Sequence, residues 1–516
     1  MRLPLVLLRC YFQDEIWLKN AKILSLNLTG CRTQRILADG LQTANHIFFG
    51  DGFHAKSEVL FRDASIGGSF SVVNAAFEYA QPKGTNKSSF ISLGCDRIKV
   101  NGGMFFHGSS FKGEVSLAGA CVGSNLECDG STFENSFNTP NGDRYAIRAD
   151  RITANGGVFL RRLKVQDRND GCVWQRFASK GAVRFINARI GVLDCSGASI
   201  EGDGKNGFNA EAATIAGHAV FDNFAIQNGG MEFRGLTADD ASFRGAKLTT
   251  VDLRYATILR AIRVKQIVDV NQSLWDLRNA SVGSVDDDEE SWPQPGRFFI
   301  DGFTYQGFGS VSVEPPEESS AVPLDFKSRK QWVELDLSRP PHAYRQLASV
   351  YSRIGDTAKS RAALFALEDS LHCNGIEEED SIFLRFIRRA WKLLLKVTIG
   401  YGYRLERAGW WLGLFLLVGF VVSYVGYSSH LIVPSDKDAY AFFAQPQHWY
   451  PPKSYPVFHA SMFSVENGIP AINLSISEHW RAVGGLSWWF FGQRIVGWFL
   501  SIFFLAGITG LAKSDK

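Results

Sequence analysis

The chain has 516 residues, more than one compact core usually holds, so at least two structural units are expected. Lys and Arg number 55 against 52 Asp and Glu, and a net charge of +3 leaves no excess of cation for nucleic-acid binding. Charged residues at 21% and apolar ones at 45% exclude a disordered chain, while 50 Gly and 40 Phe, with 13 Trp beside 4 Met, point to two unlike parts: a Gly-rich repeat region and an aromatic, membrane-embedded tail.

Met1 to Tyr11 opens with an apolar run, Leu3 to Leu8, that is too short for a signal peptide and stops at Arg9 with no small-residue cleavage site close behind. It reads as the start of the first repeat. A period of five then takes over. Leu18, Ile23 and Leu28 are preceded two places earlier by Ile16, Ala21 and Leu26. The same register returns in Ala241 to Leu259, where Phe243, Leu248, Leu253 and Ile258 follow Ala241, Ala246, Val251 and Ala256. Between them, Phe61, Ile66, Val72 and Phe77 are echoed by Leu117, Val122, Cys128 and Phe133, and again by Phe185, Ile190, Cys195 and Ile200.

Five fits neither a helix nor a flat strand. It fits a four-sided coil in which each edge sends one large and one small side chain inward and then turns, with Gly102-Gly103, Gly156-Gly157 and Gly229-Gly230 at tight places. The expectation is a mainly β chain: a right-handed parallel β-helix, a pentapeptide-like solenoid, over 1–270. A dozen coils would make a rod about 55 Å long. The polar strings Gln81–Lys87, Asn135–Asp143 and Gln166–Cys172 break the register and read as loops on one side, the natural place for a protein partner. The eight cysteines form no CxxC pair and sit among apolar repeat positions, as expected for a reducing compartment.

After Val264 the pattern fades. Residues 271–340, with the acidic run Asp286 to Glu290 and the prolines from Pro293 to Pro323, read as a cap and linker, the acidic run being solvated. Over 341–376, Tyr344, Leu347, Ala348 and Tyr351 share one helical face, Gly355-Asp356 breaks, and a second helix follows from about Thr357 to Leu371. This is a tetratricopeptide-like helical hairpin, expected to pack on the end of the solenoid.

In 377–407, Arg385, Arg388, Arg389, Lys392, Lys396, Arg404 and Arg407 face a single Glu406, beside Leu384, Phe386, Ile387 and Trp391. That is the profile of an interfacial helix on anionic lipid, and those seven cations are the candidate membrane-surface site. Two transmembrane helices follow: 408–428 is free of charge and long enough to span, and a second span, Ile495 to Ala512 within the segment 494–512, is bracketed by Arg494 and Lys513. With basic residues concentrated before the first span, the positive-inside rule leaves the solenoid and the C-terminus cytoplasmic and 429–493 outside. In that loop Phe458, Met462, Val465, Ile469 and Ile472 stand near helical spacing, the pattern of an amphipathic segment at the outer interface.

Three strings resemble functional motifs. Gly202-Asp203-Gly204-Lys205-Asn206-Gly207 matches GxGxxG, but repeats flank it on both sides and no helix follows, so a turn between coils is expected instead of a dinucleotide site. Thr398-Ile399-Gly400-Tyr401-Gly402 spells a potassium-filter signature, yet it precedes the first span and reads as a bend. His430, His448, His459 and His479 lack any metal-ligand spacing. No catalytic, cofactor-binding or metal-binding residue is assigned.

The strings "VSLAGACVGSNLECDGSTF", "ADRITANGGVFL", "AYRQLASVYSRIGD", "TIGYGYR" and "GWFLSIFFLAGITGLAK" occur in this order. In them the chain resembles a family of bacterial membrane proteins with cytoplasmic pentapeptide-like β-helices, commonly labelled membrane-associated oxidoreductases. The first coil is clipped relative to that family. The resemblance implies a multi-pass protein of the bacterial inner membrane. It carries over no catalytic residue and no cofactor, so a non-enzymatic scaffold contacting the lipid bilayer and a protein partner on the solenoid flank is the favoured function. The alternatives are an oxidoreductase and a small channel or transporter. Against the channel stands the absence of charge inside either expected span.

Overall fold

The computed structural model describes residues 3–79, 90–137, 142–166, 172–309, 325–374, 406–445, 450–469 and 472–509. It divides into two compact units, Met1–Ala363 and Leu364–Lys516, each of which is described by itself.

The first unit is a parallel β-solenoid of about 12 turns over residues 5–308. One side shows how the coils stack. Leu5 pairs with Leu26, Leu26 with Ile47, and Ile47 with Phe70, all in parallel register. These steps of 21 and 23 residues correspond to four five-residue edges and one to three residues more. The steps from Phe70 to Met104, Leu126 to Val158 and Val158 to Leu193 are longer, at 34, 32 and 35 residues. By position, each of the three polar strings falls in one of these long coils. Residues 80–89, 138–141 and 167–171 within them lie outside the described residues.

The five-residue register corresponds to burial. Phe243, Leu248, Leu253 and Ile258 are buried, and so are the small residues two places before each. Their stacking makes ladders: Phe77, Phe111 and Phe133 lie on one another with ring centroids 5.0 and 4.7 Å apart. Offset-stacked aromatic pairs at such distances add about 0.5–1.5 kcal/mol each beyond the area they bury. One corner recurs with a left-handed residue: Asn20, Gly40, Gly119, Asn187 and Gly302 occupy it, and so does Tyr255 at φ 60°. Gly and Asn adopt this conformation readily, whereas Tyr255 does so at a strain of about 1–2 kcal/mol.

The solenoid runs beyond residue 270, where the sequence pattern fades. Ile262 pairs with Val285 and Val285 with Phe308, so two further coils are complete. Their core residues are Trp275, Phe298, Phe303 and Tyr305, larger than the Leu and Ile whose spacing advertises the earlier coils. The acidic run is not solvated throughout. Asp286 and Asp287 are buried, Asp286 against Lys265 at 2.7 Å and Asp287 against Arg329 at 2.6 Å.

Arg329 belongs to α1 (Phe326–Glu334), which closes the rod. Its guanidinium is fully buried, 3.8 Å from the Phe308 ring centroid, while Trp332 packs 5.2 Å from Phe298. Burial pushes the Asp287 carboxyl up, opposed by Arg329 and by the Trp292 indole N–H at 2.8 Å. The last coil would otherwise expose unpaired backbone. Instead, the Tyr305 carbonyl accepts from Gln346 and Arg353 of α2 (Pro341–Arg353), and Ile300 N–H donates to Asp336 at 3.0 Å. Tyr344, Leu347, Ala348 and Tyr351 form the buried face of α2, and α3 spans Thr357–Asn374.

The second unit contains α4 (Glu406–Ser428), a strand Ile432–Pro434 antiparallel to Trp480–Ala482, α5 (Lys437–Phe443), α6 (Ala460–Gly468), α7 (Ile476–His479) and α8 (Gly485–Thr509). Among the described residues one helix, over Gly409–Ser428, is long and apolar enough to cross a membrane. One expectation needs correction. α8 starts ten residues before the expected second span and holds Gln493 and Arg494 within it. In α6 the buried residues are Phe463, Ser464, Glu466, Asn467 and Gly468, while Met462 is 47% exposed. The polar side of α6 packs against α4 through Ser464 and against α8 through Asn467.

The cysteines also divide. Cys31, Cys95, Cys128 and Cys195 are buried, and burial pushes their thiols up, whereas Cys121 and Cys172 are exposed beside the ladder positions.

Candidate functional site

Of the seven cations expected to bind lipid, Arg385, Arg388, Arg389, Lys392, Lys396 and Arg404 lie outside the described residues. Arg407 stands in the first turn of α4, half-buried. The GxGxxG string forms a turn: Asp203 Oδ1 accepts from Lys205 N–H at 2.9 Å and Asn206 N–H at 2.7 Å, and a strand, Asn206–Asn209, follows. The filter-like string lies outside the described residues, as does His448, while His430 and His459 are exposed.

The residues that do come together lie where α6 meets α4 and α8. Ser464 Oγ donates to the Leu416 carbonyl at 2.8 Å, and Gln493 Nε2 donates to Ser464 O at 3.3 Å. Arg494 reaches Asn467 Oδ1 at 2.9 Å, and Asn467 Nδ2 donates to Phe463 O at 2.9 Å. Glu466 caps the chain beyond α6: Oε2 accepts from Ile476 N–H at 3.0 Å and Ser477 N–H at 3.1 Å, and Oε1 accepts from Ser477 Oγ at 2.6 Å. Gln493 Oε1 is buried with no hydrogen-bond partner.

Small residues let these helices meet. A Cβ at Gly419 would lie 2.2 Å from Gln493 Nε2, and one at Gly497 would lie 2.0 Å from the Gly468 carbonyl oxygen. Above the polar cluster an aromatic cage surrounds Trp480, with Tyr427, Phe458 and Tyr455 at 5.4, 5.3 and 5.6 Å.

A second constellation sits on the solenoid flank. His107 Nε2 lies 3.1 Å from Glu127, and a ligand atom of Asp129 completes a group within 4.8 Å. These donors could in principle hold a metal, and spacing alone does not reveal them, because His107 and Glu127 meet only through the stacking of coils. Asp129, however, already accepts from Arg161 Nη2 at 2.8 Å and from Arg161 N–H at 2.9 Å. A cation added there would face that guanidinium, so the arrangement is satisfied as an ion-pair network. Next to it an antiparallel arm, Leu163–Gln166 with Cys172–Gln175, leaves the coil. Leu163 packs so closely that a Cβ at Gly130 would stand 2.5 Å from its Cβ. The arm exposes Val173 and Trp174 at 55% and 60%.

No family model, no curated protein and no solved structure matches the chain.

Proposed function

We propose that the chain is a scaffold anchored in the bacterial inner membrane, with its solenoid on the cytoplasmic side and its flank open to a protein partner. α4 and α8 act as the two transmembrane helices, and α2 with α3 forms the helical hairpin between solenoid and membrane segment. The observation that carries this reading is α4, whose 20-residue apolar stretch Gly409–Ser428 is only 22% buried. So much apolar surface left open on a helix of spanning length favours lipid around it. Arg385, Arg388, Arg389, Lys392, Lys396, Arg404 and Arg407 would hold the preceding segment against anionic headgroups. The arm with Val173 and Trp174 is the favoured contact for the partner, since a rigid frame presents it and the described residues of its own unit leave those side chains exposed.

The membrane-associated oxidoreductase label of the family that the sequence resembles is not preferred, because no residue gathered above has a cofactor role. Fractionation tests the anchored reading. Membranes washed with alkaline carbonate should retain the full chain, and the same wash should release a chain ending before Ala408, which has only its basic segment to hold it. Release of the full chain by carbonate would end the reading.

A further inference from the structure

Arg494 lies nine residues into α8, about 13 Å along its axis. On the spanning reading above, on which this inference rests, that puts a guanidinium within hydrocarbon, where charge is tolerated only against protein or water. In a single chain the residue is exposed. Its bond to Asn467, next to the buried end of α6, holds it at that depth, and no carboxylate among the described residues forms an ion pair with it.

The depth of α6 follows from two independent contacts. Ser464 meets the Leu416 carbonyl, twelve residues before α4 ends at Ser428. The Gly468 carbonyl abuts Gly497, twelve residues after α8 begins at Gly485. At 1.5 Å per residue both contacts lie about 18 Å from the helix ends on that side. That is beyond the middle of a hydrocarbon core about 30 Å thick. A nine-residue helix ending there must turn back, and irregular backbone at such depth requires protein or water around it. The segment 472–475 is non-helical and exposed.

We propose that further copies of this chain supply that surrounding: α6, residues 472–475 and the Arg494 face of α8 line a water-filled passage in a homo-oligomer, and the Arg494 guanidinium groups form a ring that admits small anions. A ring of guanidinium groups without acidic neighbours attracts anions and repels cations.

The test uses the full chain in liposomes, with chloride as the probe. A single oligomeric mass in nanodiscs is expected, and a reversal potential near that of chloride in a potassium chloride gradient. Arg494→Gln should lower chloride flux at least tenfold, Arg494→Lys should retain it, and Arg494→Glu should move the reversal potential toward that of potassium. Unchanged oligomer mass and melting temperature in each variant establish that it is folded. A monomer, an oligomer without chloride flux, or equal flux in Arg494→Gln would overturn the proposal. Loss of the wild-type chain to alkaline carbonate would overturn the spanning reading with it, whereas a carbonate-resistant chain without flux overturns the ring alone.

Discussion

The two units hold their buried carboxylates in different ways. In the solenoid, buried charge meets its opposite: Glu114 has Arg148 at 2.7 Å, Asp129 has Arg161 at 2.8 Å, and Asp287 has Arg329 at 2.6 Å. Stacked coils put the first two pairs 34 and 32 residues apart in sequence but one layer apart in space, while Arg329 reaches Asp287 from α1, 42 residues on. In the helical unit the buried Glu466 is held instead by the Ile476 and Ser477 N–H groups and by Ser477 Oγ, and the exposed Arg494 meets only an amide. Stacked layers set a cation beside each of those solenoid carboxylates, whereas the helical unit meets its buried carboxylate with neutral donors.

The sharpest way to break that contrast is to unpair the cap. Arg329→Ala or Asp287→Ala should destabilise the solenoid by about 3–5 kcal/mol, because each leaves the other charge buried alone. Chemical denaturation should detect this as a lower midpoint, and an unchanged midpoint would mean that α1 does not close the rod. Phe111→Ala removes the middle of a stacked ladder and should cost about 3–5 kcal/mol by the same measurement, with the smaller values applying if neighbouring rings collapse into the space.

In the helical unit, Gly497→Ala should push α6 from α8 and lower the melting temperature in detergent by the equivalent of about 1–3 kcal/mol, since its new methyl meets the Gly468 carbonyl. Two smaller effects refine the solenoid side. Tyr255→Gly should stabilise it by about 1 kcal/mol by relieving the left-handed corner. Burial pushes the Asp252 carboxyl up, but bonds from Arg254 and Arg234 outweigh that and hold it below the usual carboxylate range. A carboxyl lowered in the folded state stabilises above its unfolded pKa and loses that contribution as pH falls. The stability lost in Asp252→Asn should therefore be largest near pH 7, about 0.5–1 kcal/mol, and shrink below about pH 4.

How far the sequence could be read follows the same division. The coils from Phe61 to Ile258 were legible because each edge repeats its large residue after five or six positions. The last coils were not, because Trp275, Phe298 and Phe303 stand where earlier coils carry small residues, although Leu277 to Val282 and Ile300 to Tyr305 keep steps of five. The burial of Asp287 could not be read from a local acidic run, since its partner Arg329 stands 42 residues away on a helix beyond a Pro-rich stretch. The pairing of His107 with Glu127 depends on a coil length that inserted loops change from layer to layer. In the helical unit, apolar spacing drew attention to Met462 and Val465, while the contacts of α6 are made by Ser464 and Asn467, whose partners stand far off in sequence. The extent of α8 was hidden by Arg494, which a hydropathy reading treats as a boundary and the helix does not.

Orientation is the direct test of the anchored account, and the native thiols Cys121 and Cys172, both exposed on the solenoid, provide it. A membrane-impermeant maleimide applied to sealed vesicles should label them when the cytoplasmic face is outward and leave them unlabelled in right-side-out vesicles. Labelling in right-side-out vesicles would contradict a solenoid held on the cytoplasmic side.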